Sequence, residues 1–296
     1  MTRRSYRDIR VQANDGLLLH ARSYGDTLAT SLPVICLPGL ARHAGDFHDI
    51  AMALTDPDEM QPRHVVAVDY RGRGLSGYDP DPGNYSVPVE TSDLLTLLAH
   101  LGISRGIFIG TSRGGIITMG LSGAKPGMVT GAVLNDIGPV IEGAGLAQIR
   151  AYAERAPKPK SFDEAASILK AAQGAAFAAL SEDDWQRMAH AIYREENGRP
   201  VVDFDPALVK TLKGIDFNTP LPVFWPQFLG LKAVPVLAIR GSNSMLLSAE
   251  TLRAMKEHHP RLETVTVDGQ GHAPMLETDD LPARIGAFLE RCEGIQ

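Results

Sequence analysis

Short apolar runs recur along this chain and alternate with segments of helical period, and that alternation constrains the fold more than any other feature. The runs are VICLPG (34–39), HVVAVDY (64–70), GIFIGTS (106–112), GAVLNDIG (131–138), VPVLAIRG (234–241) and LETVTVDG (262–269). They are nearly continuous and rich in β-branched residues, as expected of strands buried on both faces. Between them, Phe47, Ile50, Ala51 and Leu54 share one helical face, as do Leu94, Leu97, Leu98 and Leu101. Leu281, Ile285, Phe288 and Cys292 form a last stripe. Strands alternating with helices predict a mostly parallel sheet covered by helices. The start is different. YRDIRVQA (6–13), the turn NDG (14–16) and LLLHARSY (17–24) predict an antiparallel hairpin, because Asp-Gly supplies the positive φ such a turn needs.

The alternation stops between about 140 and 230, where no strand is predicted. Ser161 with Glu164, and Ser181 with Asp184, resemble capping boxes that open helices. Asp205-Pro206 is a cap followed by proline in the first turn. Ala156-Pro157-Lys158-Pro159 and the cluster Pro220, Pro222, Pro226 read as connectors. This is the pattern of a helical insertion between two strands of one sheet.

Composition removes several function classes. At 296 residues the chain suits one or two domains, and 44% hydrophobic with 22% charged residues is ordinary for a soluble globular protein. A net charge of −6 argues against a nucleic-acid partner. No apolar run approaches the roughly 20 residues that cross a bilayer. The basic opening (Arg3, Arg4, Arg7) is broken by Asp8 and lacks the apolar core of a signal peptide. Cys36 and Cys292 offer neither metal spacing nor a disulfide framework, so they are expected as inert thiols in a reducing cytoplasm.

Chemistry concentrates in three motifs. GTSRGG (110–115) follows the strand-like GIFI and precedes a helical pattern, so it fits the G-x-S-x-G nucleophile elbow in the context that motif requires. Gly110 and Gly114 leave room for close backbone packing around a strained turn that exposes Ser112 Oγ. CLPGLARH (36–43) ends an earlier strand in Pro-Gly. Acyl transfer needs two N–H donors for the oxyanion, and Arg113 and Leu40 stand where such donors belong. DGQGHAPML (268–276) places His272 in a glycine-rich loop after the last strand. Among nine histidines, His272 is singled out by the chain order serine, acid, histidine.

With these motifs assembled, the sequence resembles an α/β-hydrolase of the capped serine esterase and C–C hydrolase-like branch, over nearly its whole length. The segment DYRGRGLSG (69–77) resembles the family's D-x-R-G-x-G-x-S stretch, where Asp69 and Arg71 are read as scaffold. The resemblance implies a mostly parallel eight-stranded sheet with helices on both faces and a helical cap inserted after strand six. Residues 1–139 and 231–296 would form the core and 140–230 the cap. It also implies hydrolysis of a small carboxylic ester, with Ser112 as nucleophile, His272 as base and no metal or organic cofactor. The partner expected is a small-molecule ester or related acyl substrate, with no nucleic acid and no membrane, and the chain is compatible with a homodimer. Phe162, Phe177, Trp185, Phe224, Trp225 and Phe228 are candidates for an apolar acyl pocket or for ordinary cap core.

One piece is missing. Related proteins often carry the triad Asp in the loop after the cap, but here that loop is RGSNSMLLS (240–248), with Met245 about where the Asp is expected. Methionine sulfur is too weak an acceptor to orient an imidazole. Three readings compete. Asp136, ending the preceding strand in VLNDIGP (133–139), could supply the acid, as in some α/β-hydrolases. Asn243 or a water could orient His272 without charge. The site could instead be disabled, leaving a homologue that binds a small apolar ligand. Asp136 could also be structural, anchoring the insertion or pairing with Arg113. Hydrolysis of a C–C bond or a lactone would use the same serine, with Arg113 as the basic group beside it for a substrate carboxylate.

Overall fold

The computed structural model describes residues 6–58, 60–155, 157–213 and 221–294. Ala156, Pro220, Arg3 and Arg4, named above, lie outside them. The chain opens with β1 (Arg7–Gln12) and β2 (Leu18–Gly25), an antiparallel pair whose turn has Gly16 at φ +87°. Then follow β3 (Val34–Leu37), α1 (His48–Leu54), β4 (His64–Asp69), α2 (Val87–His100), β5 (Gly106–Thr111), α3 (Arg113–Ala124) and β6 (Val129–Asn135). The intervening segment holds α4 (Gly143–Arg155), α5 (Phe162–Gln173), α6 (Glu182–Ile192), β7 (Tyr193–Glu196), β8 (Arg199–Val202), α7 (Lys210–Lys213) and α8 (Trp225–Leu229). The chain then returns through β9 (Val236–Gly241), α9 (Ala249–His258), β10 (Leu262–Val267) and α10 (Leu281–Glu293).

Eight strands form one sheet in the order β1-β2-β4-β3-β5-β6-β9-β10, parallel from β4 to β10. Its two faces are built by the two-residue period of the strands. On β3, Ile35 and Leu37 enter one core while Val34 and Cys36 enter the other. On β5, Phe108 goes to the first face and Ile107 with Ile109 to the second. The stripe of α2 and residues of α3, α8 and α9 cover the first core, and α1 and α10 cover the second. Cys36 and Cys292 are buried free thiols in that second core. Among the described residues no helix is long and apolar enough to cross a membrane.

The order of the strands decides what can meet. The C-terminal ends of β5, β6 and β9 lie side by side, with Thr111 beside Asn135 and Asn135 beside Ile239. The residues that follow these strands, Ser112, Asp136 and Ser242, therefore emerge together at one edge.

The segment between β6 and β9 is not wholly helical, which corrects the sequence reading. β7 and β8 form an antiparallel ribbon turned by Asn197 and Gly198, both at positive φ. Asn-Gly is the preferred pair for such a turn. Four residues are too few to display alternation, and Pro200 sits inside one of the strands, so the sequence carries no strand signal there. The helical starts follow the caps: Ser181 and Asp184 form a reciprocal capping box. At Ser161 the arrangement is looser, since its side chain accepts from Glu164 N while Glu164 accepts from Lys160 N.

The elbow depends on two close approaches. A Cβ at Gly114 would sit 2.1 Å from the Leu37 carbonyl oxygen, and one at Gly110 2.5 Å from Gly114 C. Gly120, on the same helix, has nothing within 4 Å. Gly114→Ala is expected to destabilise the protein by about 1–3 kcal/mol through overpacking. Gly120→Ala should be neutral or stabilising by up to about 1 kcal/mol. Urea unfolding midpoints of the two variants check this contrast.

Candidate active site

Ser112 sits between β5 and α3 at φ +52°, ψ −111°, a conformation that is strained for a residue with a Cβ. The turn is held by Ser112 N donating to Asn135 O (3.1 Å) and by Ser112 O accepting from Gly115 and Ile116 N–H. Arg113 is the first residue of α3, so its N–H belongs to the four that a helix leaves without an intrahelical partner. The loop after β3 comes close: a Cβ at Gly39, the residue before Leu40, would lie 3.9 Å from Ser112 Cβ.

His272 bridges the serine to a carboxylate. Its Nε2 lies 2.9 Å from Ser112 Oγ and its Nδ1 lies 2.7 Å from Asp136 Oδ2. With the proton on Nδ1 donated to Asp136, Nε2 accepts from the serine hydroxyl. Asp136 has no exposed surface, and it adopts φ +52° just beyond β6. Three donors meet it: His272, Gly241 N–H to Oδ1 (2.9 Å) and the Ser244 hydroxyl to Oδ2 (2.6 Å). Its neighbour Asn135 steadies the histidine loop by donating to Pro274 O (3.0 Å).

The other residues weighed around the acid have contacts of their own. The Asn243 side-chain amide donates to Ala176 O (3.0 Å), and it is Asp136 that faces His272 Nδ1. Met245 is half-exposed. Arg113 does not pair with Asp136. Its guanidinium bonds Glu90, which has no exposed surface, and donates to Tyr85 O (3.1 Å). Glu90 also pairs with Arg73 (2.8 Å), and Arg73 Nε donates to Leu40 O (2.8 Å). One carboxylate thus ties together the loop bearing Leu40 and the start of α3.

The segment DYRGRGLSG is framework. Asp69 accepts from Ala44 N and Leu75 N and lies 2.6 Å from His20 Nδ1, while Arg71 makes two bonds to Asp93. The aromatic candidates all contribute to packing. Phe177 and Trp185 sit in the core of the inserted segment with Phe162 against it. Phe228 joins the core of the sheet with Phe224 and Trp225 beside it.

Comparison with known proteins bears on this geometry. Residues 34–284 match the model of the alpha/beta hydrolase family. The chain belongs to that family. It is 32% identical over 269 residues to the 3-hydroxybutyrate-oligomer hydrolase of Cupriavidus necator, covering 86% of this chain and 88% of that one. It is 25% identical over 236 residues to the 2-(acetamidomethylene)succinate hydrolase of Mesorhizobium japonicum, covering 79% of each. Among solved structures, the crystal structure of an alpha/beta hydrolase from Novosphingobium aromaticivorans superposes with a TM-score of 0.89 at 37% identity, covering 97% of this chain and 99% of that one. The family membership makes the protein a hydrolase.

Two residues of this alpha/beta hydrolase site escaped the sequence reading. Glu90 lies in a helix whose pattern shows only its apolar stripe, and nothing local marks it as the partner of two arginines. Ser244 lies in RGSNSMLLS, but a serine there gains meaning only from the Asp136 carboxylate that faces it.

Five residues beyond His272, Glu277 faces a polar cleft lined also by Asp183, Asp184 and Arg187. Burial, reinforced by Asp49 and Asp46, pushes its carboxyl up from 4.5 to about 7. A carboxyl raised on folding favours the folded state while protonated. That contribution is complete below about 4.5 and is lost as pH climbs to about 7. Glu277→Gln should therefore gain thermal stability relative to the wild type as pH rises through this window. Melting temperatures of both proteins at pH 4.5 and 7.5 check the sign.

Proposed function

We propose that the protein hydrolyses small carboxylic esters through an acyl-enzyme. The observation that carries this reading is the hydrogen-bonded chain from Ser112 through His272 to Asp136. Ser112 Oγ attacks the acyl carbon while His272 Nε2 takes its proton. The carbonyl oxygen becomes an oxyanion facing the N–H groups of Leu40 and Arg113, each donor of this kind contributing about 10²–10³ in rate. Collapse of the tetrahedral adduct breaks the ester C–O bond, and His272 returns the proton to the departing alkoxide. Water, deprotonated by His272, then attacks the acyl-serine, releasing the acid and restoring Ser112. Asp136 holds the tautomer of His272 that makes these transfers possible and stabilises the imidazolium between them.

Residues 140–230 act as a cap in this proposal. The supporting contacts tie that segment to the rim of the site: Ala179 N to Gly269 O (3.1 Å), Gly74 N to Asp203 O (3.0 Å) and Asp205 N to Gly72 O (2.7 Å). Because a relative is named for hydrolysis of 3-hydroxybutyrate oligomers, short oligoesters of hydroxy acids are the first substrates to assay. The C–C hydrolase alternative relied on Arg113 for a substrate carboxylate, and that guanidinium is engaged by Glu90. The ligand-binding alternative rests on an absent acid, and the contact of Asp136 with His272 counts against it.

The test is fluorophosphonate labelling with p-nitrophenyl ester and hydroxybutyrate oligomer assays. Ser112→Ala should lose both labelling and turnover. Asp136→Asn should lower kcat by about 10⁴, the scale for removing a triad acid. Met245→Asp should leave kcat within about twofold, since the acid's place is taken. An unlabelled wild type, inert towards every ester, would sink the proposal.

A further inference from the structure

The loop RGSNSMLLS lacks a carboxylate but contributes something else to the same atoms. Ser244 Oγ lies 2.6 Å from Asp136 Oδ2, the oxygen that also receives His272 Nδ1–H. The direction of its proton is fixed by its other contacts. Leu246 N and Leu247 N both donate to Oγ at 3.1 Å, so its lone pairs are engaged and its own hydrogen goes to Asp136. The residue is buried. Gly241 N–H holds the second carboxylate oxygen. Of the three donors on Asp136, one therefore comes from the last residue of β9 and one from the loop just beyond it.

We infer that Ser244 is a positioning residue, a hydroxyl that clamps the Asp136 carboxylate in the orientation His272 needs. This inference rests on the catalytic reading of Ser112, His272 and Asp136. The Ser244 hydroxyl bonds Asp136, Leu246 N and Leu247 N. It acts through Asp136 by sharing Oδ2 with the imidazole, which fixes the carboxylate plane and tempers its pull on the Nδ1 proton. Without the clamp Asp136 can rotate about its χ2, and the unshared oxygen becomes a stronger acceptor for His272. The exchange is physically reasonable because β6 and β9 are neighbours. A carboxylate following β6 and a hydroxyl in the loop after β9 reach the same point from adjacent strands.

Three measurements test it. In Ser244→Ala, kcat/KM for a p-nitrophenyl ester should fall about 10- to 100-fold, the worth of a hydrogen bond to a charged group. KM should stay within about twofold, and the acid limb of the pH–rate profile should move to higher pH as the imidazolium holds its proton more tightly. The downfield proton resonance of His272 Nδ1–H, read without substrate, should shift or broaden. In the Asp136→Ala background, Ser244→Ala should slow fluorophosphonate inactivation by no more than about twofold, because its target is gone. Should the alanine variant fail to fold, Ser244→Cys, similar in shape and a weak donor, should move limb and resonance the same way. An unchanged acid limb and resonance, or an equal penalty in both backgrounds, overturns the inference. Loss of ester turnover in the wild type would instead strike the hydrolase reading, while the resonance still reports on Ser244.

Discussion

A carboxylate with none of its surface in water has to find its hydrogen bonds inside the protein, since burying it unpaired costs several kcal/mol. Asp136 meets this condition with donors from three places: the end of β9, the loop beyond it and the histidine loop. Each of those places is fixed by something else. β9 is held by its parallel ladders to β6 and β10. The histidine loop is tied to Asn135 through Pro274. The site is consequently a property of the sheet's edge, not of any single loop.

The same edge explains why the elbow tolerates its backbone. Ser112 is held at positive φ because glycines at 110 and 114 let α3 press against β5 and the end of β3 at distances no side chain would allow. The Glu90 bridge adds an electrostatic tie at this point. It neutralises one of two buried or half-buried arginines and links Arg73, which grips Leu40 O, to Arg113. The strain at the serine and the buried charge beside it are both supported by close packing over the first face of the sheet.

Much of this was legible in the chain. The strands β3 to β6, β9 and β10 announce themselves because strands buried on both faces read as continuous apolar runs, and the stripes of α1, α2 and α10 because a half-buried helix must segregate its faces. Ser112 and His272 were legible because each lies in a glycine-rich turn at the end of a strand. The hairpin β7–β8 was not, since its strands are short and one contains Pro200. The aromatic residues of the inserted segment could be read as pocket or as core. Their packing around Trp185 and Phe228 was decided by partners distant in sequence.

The sequence by itself determined the order of elements, the position of the serine and histidine, and the absence of an acid from RGSNSMLLS. Those features depend on local patterns of period, glycine and chain order. Only the tertiary structure decided which carboxylate faces His272. Asp136 and Arg113 are both near the serine in the chain's own order of strands, and a pairing between them was as readable as a pairing with the histidine. The fold places Glu90 beside Arg113 and leaves Asp136 to His272 and Ser244. That choice rests on side-chain direction across adjacent strands, which no spacing along the chain encodes.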